Sequence, residues 1–179
     1  MILTDREIKQ AIKDGSIVID PFNEKCLGSN SYDVHLSKHF AVYEDKEVLD
    51  AKKDNPISRF EITDSGFVLK PGVLYLASTI EYTETHIHVP YLEGKSSTGR
   101  LGIDIHATAG KGDIGFCNYW TLEISCIRPV KVYPGMPIGQ ITYFVAKGEV
   151  INPYNSKENA KYINKDPRPM GSMMWKNVF

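Results

Sequence analysis

Two Pro-Gly steps, Pro71-Gly72 and Pro134-Gly135, each separate a pair of apolar runs. Phe67-Val68-Leu69 leads into the first and Val73 to Ile80 leads out of it; Val130 to Tyr133 leads into the second and Ile138 to Val145 leads out. Proline presets one turn position and glycine accepts the next, so each step marks a turn between two strand candidates. A chain that repeats this strand-turn-strand rhythm is predicted to be mainly β, a sandwich or barrel. Ile17-Val18-Ile19, stopped by Pro21, and Ser31 to Leu36 read as further strands, and residues 43–65, charged and broken by Pro56, as surface loops with at most a short edge strand. The clearest helix opens the chain: Thr4 is placed to cap it with Glu7 completing a capping box, Leu3 to staple against Ile8, Ile8, Ala11 and Ile12 to form its apolar stripe, and Gly15 to stop it.

The 179 residues suit one domain, 1–179, with a single core. A net charge of -1 lacks the basic excess of a nucleic-acid binder, and no run is long or apolar enough to span a bilayer or act as a signal peptide. Cys26, Cys117 and Cys126 are odd in number with no C-x-x-C pair, which argues against a disulfide framework and for a reducing, cytoplasmic setting.

Chemistry-bearing residues concentrate between Leu92 and Glu123. Glu123 sits among Trp120, Leu122, Ile124 and Cys126; period-two alternation puts Thr121, Glu123 and Ser125 on one face and the apolar residues on the other. Either that polar face meets solvent, or Glu123 lines a pocket where desolvation fits it to proton transfer. Upstream, Gly94-Lys95-Ser96-Ser97-Thr98-Gly99-Arg100 has the composition of an anion-holding loop, although Arg100-Leu101 stands where a P-loop needs Lys followed by Ser or Thr. A second glycine-rich turn follows at Ala109-Gly110-Lys111-Gly112-Asp113-Ile114-Gly115. The end of the chain, 151–179, holds five basic residues (Lys157, Lys161, Lys165, Arg168, Lys176) against Glu158 and Asp166, which by composition alone is a solvated basic tail.

Taken in order, GKSSTGRLGI, HATAGKGDIGF, TLEIS and PYNSKENAKY, with the opening MILTDREIKQAI, closely resemble the dCTP deaminases of the deaminase and dUTPase superfamily. The resemblance implies a distorted β-barrel or jelly roll of the dUTPase-like (β-clip) type with a short N-terminal helix. It implies Glu123 as general base and acid, Ser96 and Arg100 holding phosphate and the attacking water, and contacts to nucleotide from Lys95, Ser97, Thr98, Gly99, Thr121 and Leu122. Ala109 and Asp113 match positions that read the base and deoxyribose. Residues 151–179 match a C-terminal lid in which Tyr154 and Lys161 meet the nucleotide, Lys161 at phosphate, with Lys165 standing where the family often has Gln. Asn30 to Val34 matches the family's early strand, where we read Asp33 as a side chain tying down a turn.

The resemblance further implies Mg2+ bound through the triphosphate, a homotrimer with sites shared between subunits, and dTTP as a feedback ligand. A zinc deaminase would need His or Cys with Glu two residues on, then Pro-Cys-x-x-Cys, and this chain has neither. Thr85-His86-Ile87-His88 would put two imidazoles on one face if extended, yet no zinc and no catalytic metal is expected. The first functional reading is therefore hydrolysis of dCTP to dUTP and ammonia. The alternative is the bifunctional type that goes on to dUMP, which Thr108-Ala109-Gly110 favours although Lys111 stands where those members usually have a bulky apolar residue. Glu123 counts against a plain dUTPase, and the set Ser96, Arg100 and Glu123 against a regulator without chemistry.

Overall fold

The computed structural model describes residues 1–44 and 48–179. It is mainly β: after α1 (Asp5–Lys13) come β1 (Ile17–Asp20), β2 (Tyr32–Tyr43), β3 (Ile57–Glu61), β4 (Phe67–Leu69), β5 (Tyr75–Thr85) and β6 (His88–Gly94). A one-turn α2 (Ser96–Arg100) leads to β7 (Ile103–Asp104), β8 (Cys117–Cys126), β9 (Val130–Val132) and β10 (Pro137–Val145). Eight strands form a barrel-like sheet in the order β6-β10-β2-β5-β8-β7, with β1 also on β5 and β3 also on β2, while β4 and β9 make a separate antiparallel ribbon.

Both Pro-Gly steps turn the chain as expected, with Gly72 at φ +77° and Gly135 at φ +78°, conformations open to glycine at little cost. β2 and β5 run longer than their apolar patterns. Beyond Leu36, β2 passes through the polar Ser37-Lys38-His39, and beyond Ile80, β5 continues to Thr85. The polar groups are paired across the two strands: Glu81, 3% exposed, accepts the His35 backbone N–H (2.9 Å) and faces His35 Nδ1 at 2.6 Å, and the Ser37 and Ser78 hydroxyls meet at 2.7 Å. Partners of this kind remove the cost of burying polar groups, so the ladder can continue through them.

Asp33 lies within β2 opposite Gln140 and forms an ion pair with Lys95, so it ties α2's entry to the sheet and does not tie down a turn. The capping box is likewise absent: Thr4 occupies the N-cap position but its side chain makes no cap bond, and the backbone supplies the anchors, Ile8 N–H to Thr4 O (2.8 Å) and Asp5 N–H to Ser29 O (2.9 Å). Burial of Ile8 and Ala11 in the common core holds the helix instead. That core gathers Tyr32, Val34, Leu36, Phe40, Leu122, Ile124, Ile138 and Ile141. At one end Phe40, Phe60, Phe67 and Tyr75 pack with ring centroids 5.3 to 5.8 Å apart, closing the β4–β9 ribbon onto the barrel. Among the described residues no helix is long and apolar enough to cross a membrane.

Candidate active site

β8 alternates as its residues dictate: Asn118, Trp120, Leu122, Ile124 and Cys126 are buried, and Thr121, Glu123 and Ser125 form the other face. That face opens on a cleft of about 630 Å3, within the range of small-molecule sites. Glu123 lines it together with Ala109, Lys111, Asp113, Thr121 and Tyr154. The segment after β7 runs beside β8, with Glu123 N–H donating to Ile105 O (2.9 Å). It brings the Ala107 N–H to Glu123 Oε2 at 2.8 Å, which fixes the carboxylate's orientation and, among the described residues, leaves Oε1 without a hydrogen-bond partner. Beneath lies Trp120, 7% exposed, whose indole N–H donates to Thr83 Oγ1 (3.0 Å) and whose ring packs on Phe116 at 4.9 Å.

The glycine-rich turn forms one wall because it is pressed against β6. Leu92 N–H donates to Gly110 O (2.7 Å), Gly112 N–H to Pro90 O (2.9 Å), and a β-carbon at position 110 would lie 2.5 Å from Leu92 O. Glycine is thus required there by close backbone approach. Asp113, at the turn's end, pairs with Lys157 at 3.3 Å.

The tail covers the cleft. Tyr154 N–H donates to Ile114 O (2.7 Å), Asn118 Nδ2 to Tyr162 O (3.1 Å), Met170 N–H to Thr121 Oγ1 (3.2 Å), and Ser172 N–H to Tyr43 Oη (2.9 Å). Tyr154 Oη accepts from both Lys161 N–H (3.2 Å) and Tyr162 N–H (3.0 Å), so it shapes the tail as well as the wall.

Several residues picked from the sequence stand elsewhere. Leu122 is fully buried on the opposite face, so its side chain belongs to the core. Thr98 is 2% exposed and donates to Ile138 O (3.0 Å), a structural bond, and Lys95 is held by Asp33. Ser96, Ser97, Gly99 and Arg100 are exposed on α2 and do not line this chain's cleft. Lys161 Nζ turns to Asn177 Oδ1, and Lys165 lies in a second cleft near Glu84. Within the expected lid 151–179, Lys157, Tyr162 and the segment 170–174 had no individual role, and Lys111 stood only as a departure from pattern; no periodicity in a loop or tail reports which side chain turns inward.

The mainly β, barrel-like sheet, which presents a strand-borne carboxylate to a tail-covered cleft, has the dUTPase-like fold. A family model described as dCTP deaminase-like matches residues 2–146, and the chain belongs to that family. A protein of Cytophaga hutchinsonii named "dCTP deaminase, dUMP-forming" is 46% identical over 178 residues, covering 99% of this chain and 98% of that one. One of the same name from Clostridium acetobutylicum is 50% identical over 165 residues, covering 92% and 91%. The crystal structure of 2'-deoxycytidine 5'-triphosphate deaminase from Agrobacterium tumefaciens has the same fold, with a TM-score of 0.63 at 21% identity; the match covers 81% of this chain and 48% of that one.

Proposed function

We propose that this protein is a hydrolytic dCTP deaminase of the dUMP-forming kind, releasing ammonia and diphosphate. Relatives that match 92–99% of its length, named dUMP-forming, favour this over the monofunctional dUTP-releasing reading that the sequence puts first. The observation that carries the reading is Glu123, a carboxylate oriented by one backbone N–H on a rigid strand in a closable cleft.

In the proposed reaction Glu123 takes a proton from water, the hydroxide attacks C4 of the cytosine ring, and the proton passes to the departing amine so that ammonia leaves; a second water then adds its oxygen to the α-phosphorus as the α–β phosphoanhydride bond breaks and diphosphate departs. One carboxylate serves both steps of the deamination by first accepting and then giving the same proton. A tail that excludes water strengthens each charge interaction in the cleft. Asp113 suits a deoxyribose hydroxyl, a charge-assisted bond, once Lys157 yields it. Tyr154 and Tyr162 supply flat apolar faces beside Lys111.

The cleft's two carboxylates are engaged by Ala107 and Lys157 and form no cage for a hard cation. Magnesium is therefore proposed to arrive on the triphosphate, in keeping with its preference for phosphate oxygens and retained water. α2 lies outside this chain's cleft with Ser96 and Arg100 exposed, which supports a homotrimer in which those residues serve a neighbour's site. dTTP, which shares the deoxyribose and triphosphate, is proposed as a feedback ligand of the same cleft.

The test is to incubate purified protein with dCTP and magnesium and follow ammonia and diphosphate together. Equal amounts of both are expected. Ammonia without diphosphate would return the monofunctional reading, and neither product would overturn deamination altogether.

A further inference from the structure

Away from the candidate active site, three potential metal-ligating side chains converge at the junction of β5 and β8. Glu84 and Cys117 are directly opposed partners across the two strands, and His86, two residues beyond Glu84, falls on the same side. A carboxylate oxygen, an imidazole nitrogen and a thiol sulfur thereby lie within 4.8 Å of one another, and among the described residues this is the one such group of three. They line a cleft of about 350 Å3, roomy enough for an ion and its water. Glu84 Oε2 stands 3.1 Å from His86 Nε2, and Tyr82 Oη donates to Glu84 Oε1 at 2.6 Å.

We propose that Glu84, His86 and Cys117 form a binding site for a borderline-soft divalent cation of the zinc class, separate from the deamination chemistry. A donor set of one sulfur, one nitrogen and one oxygen suits zinc with a water in the fourth position, and discriminates against magnesium and calcium, which take oxygen ligands. Ligation replaces the Cys117 thiol proton, which leaves to solvent, by a metal–sulfur bond. The competitor is already in place: Lys165, from the tail, sits 3.4 Å from Glu84 Oε1 with its ammonium 4.9 Å from the Tyr82 ring centroid. Its side chain is 65% exposed, so it can swing into water at little cost. Metal and Lys165 thus share one carboxylate, and the ion releases one of the clips that hold the tail to the barrel.

Cobalt(II) is the probe, because thiolate ligation produces a sulfur-to-metal charge-transfer absorption. Titrated into the full chain, it should raise that band to one equivalent and lose it on adding zinc. Cys117→Ser should abolish the band while Cys26→Ser keeps it, and His86→Ala, at an exposed position, should weaken binding by about tenfold or more. Lys165→Met should tighten it severalfold by removing the competing charge. A chain that shows no band, or a band that survives Cys117→Ser or is indifferent to His86→Ala and Lys165→Met, overturns the site.

Discussion

At position 110 the backbone of the glycine-rich turn passes so close to β6 that a side chain of any size would push on the Leu92 carbonyl, 2.5 Å from where its β-carbon must go. Gly110→Ala is therefore expected to cost about 1–3 kcal/mol of stability and to move the wall that bears Ala109 and Asp113. A lowered melting temperature together with a raised KM for dCTP would show both effects; an unchanged protein would mean the turn relaxes freely. The glycines were visible in the sequence, but their reason was not: a loop rich in Gly, Ser and Lys reads alike whether it grips an anion or squeezes past a strand. The same ambiguity misplaced Thr98 and Lys95, whose polar atoms are spent on Ile138 O and Asp33. The face that Glu123 shares with Thr121 and Ser125 was legible because a strand has a fixed period and the apolar residues on either side declare which face is core; whether that face met solvent or a cleft was not, because it depends on the segments packed over it.

Among the elements, β8 is the one whose two faces do separate work. Leu122 is fully buried directly behind the cleft, so Leu122→Ala should destabilise by about 2–5 kcal/mol, read as a shift in denaturant midpoint. The junction from β5 to β6 holds an acid-sensitive imidazole, His88. Burial pushes the His88 imidazole below its ordinary value, an effect Asp14 only partly offsets, and among the described residues its buried Nδ1 has no hydrogen-bond partner. The unfolded chain then binds a proton that the folded chain resists. Stability is undiminished above the model-compound value of 6.5 and falls as pH drops below it toward the depressed folded value. His88→Gln should flatten the melting temperature measured between about pH 7 and 5; an undiminished slope would exclude His88 as its source. The Pro-Gly turns made β4, β5, β9 and β10 readable, whereas β2 and β5 outran their apolar patterns because Glu81, His35, Ser37 and Ser78 satisfy one another across the pair. Such pairing depends on which strands become neighbours, and local sequence does not contain that.

For the whole molecule, the separation of α2 from the cleft of the same chain has a direct test. If Arg100 serves a neighbour's site, Arg100→Ala and Glu123→Gln are each inactive alone but complement when co-assembled. Random mixing in equal amounts leaves about a quarter of sites with both groups intact, and no recovery of ammonia release would place each site within one chain. The account as a whole rests on one carboxylate acting as base and then acid. The most direct measurement is therefore made on Glu123→Gln, which keeps the side chain's size and its acceptor for Ala107 N–H. dCTP affinity by calorimetry should stay within a few-fold of the unaltered protein while ammonia release falls by at least about a hundredfold. Deamination that continues at a comparable rate would contradict the account.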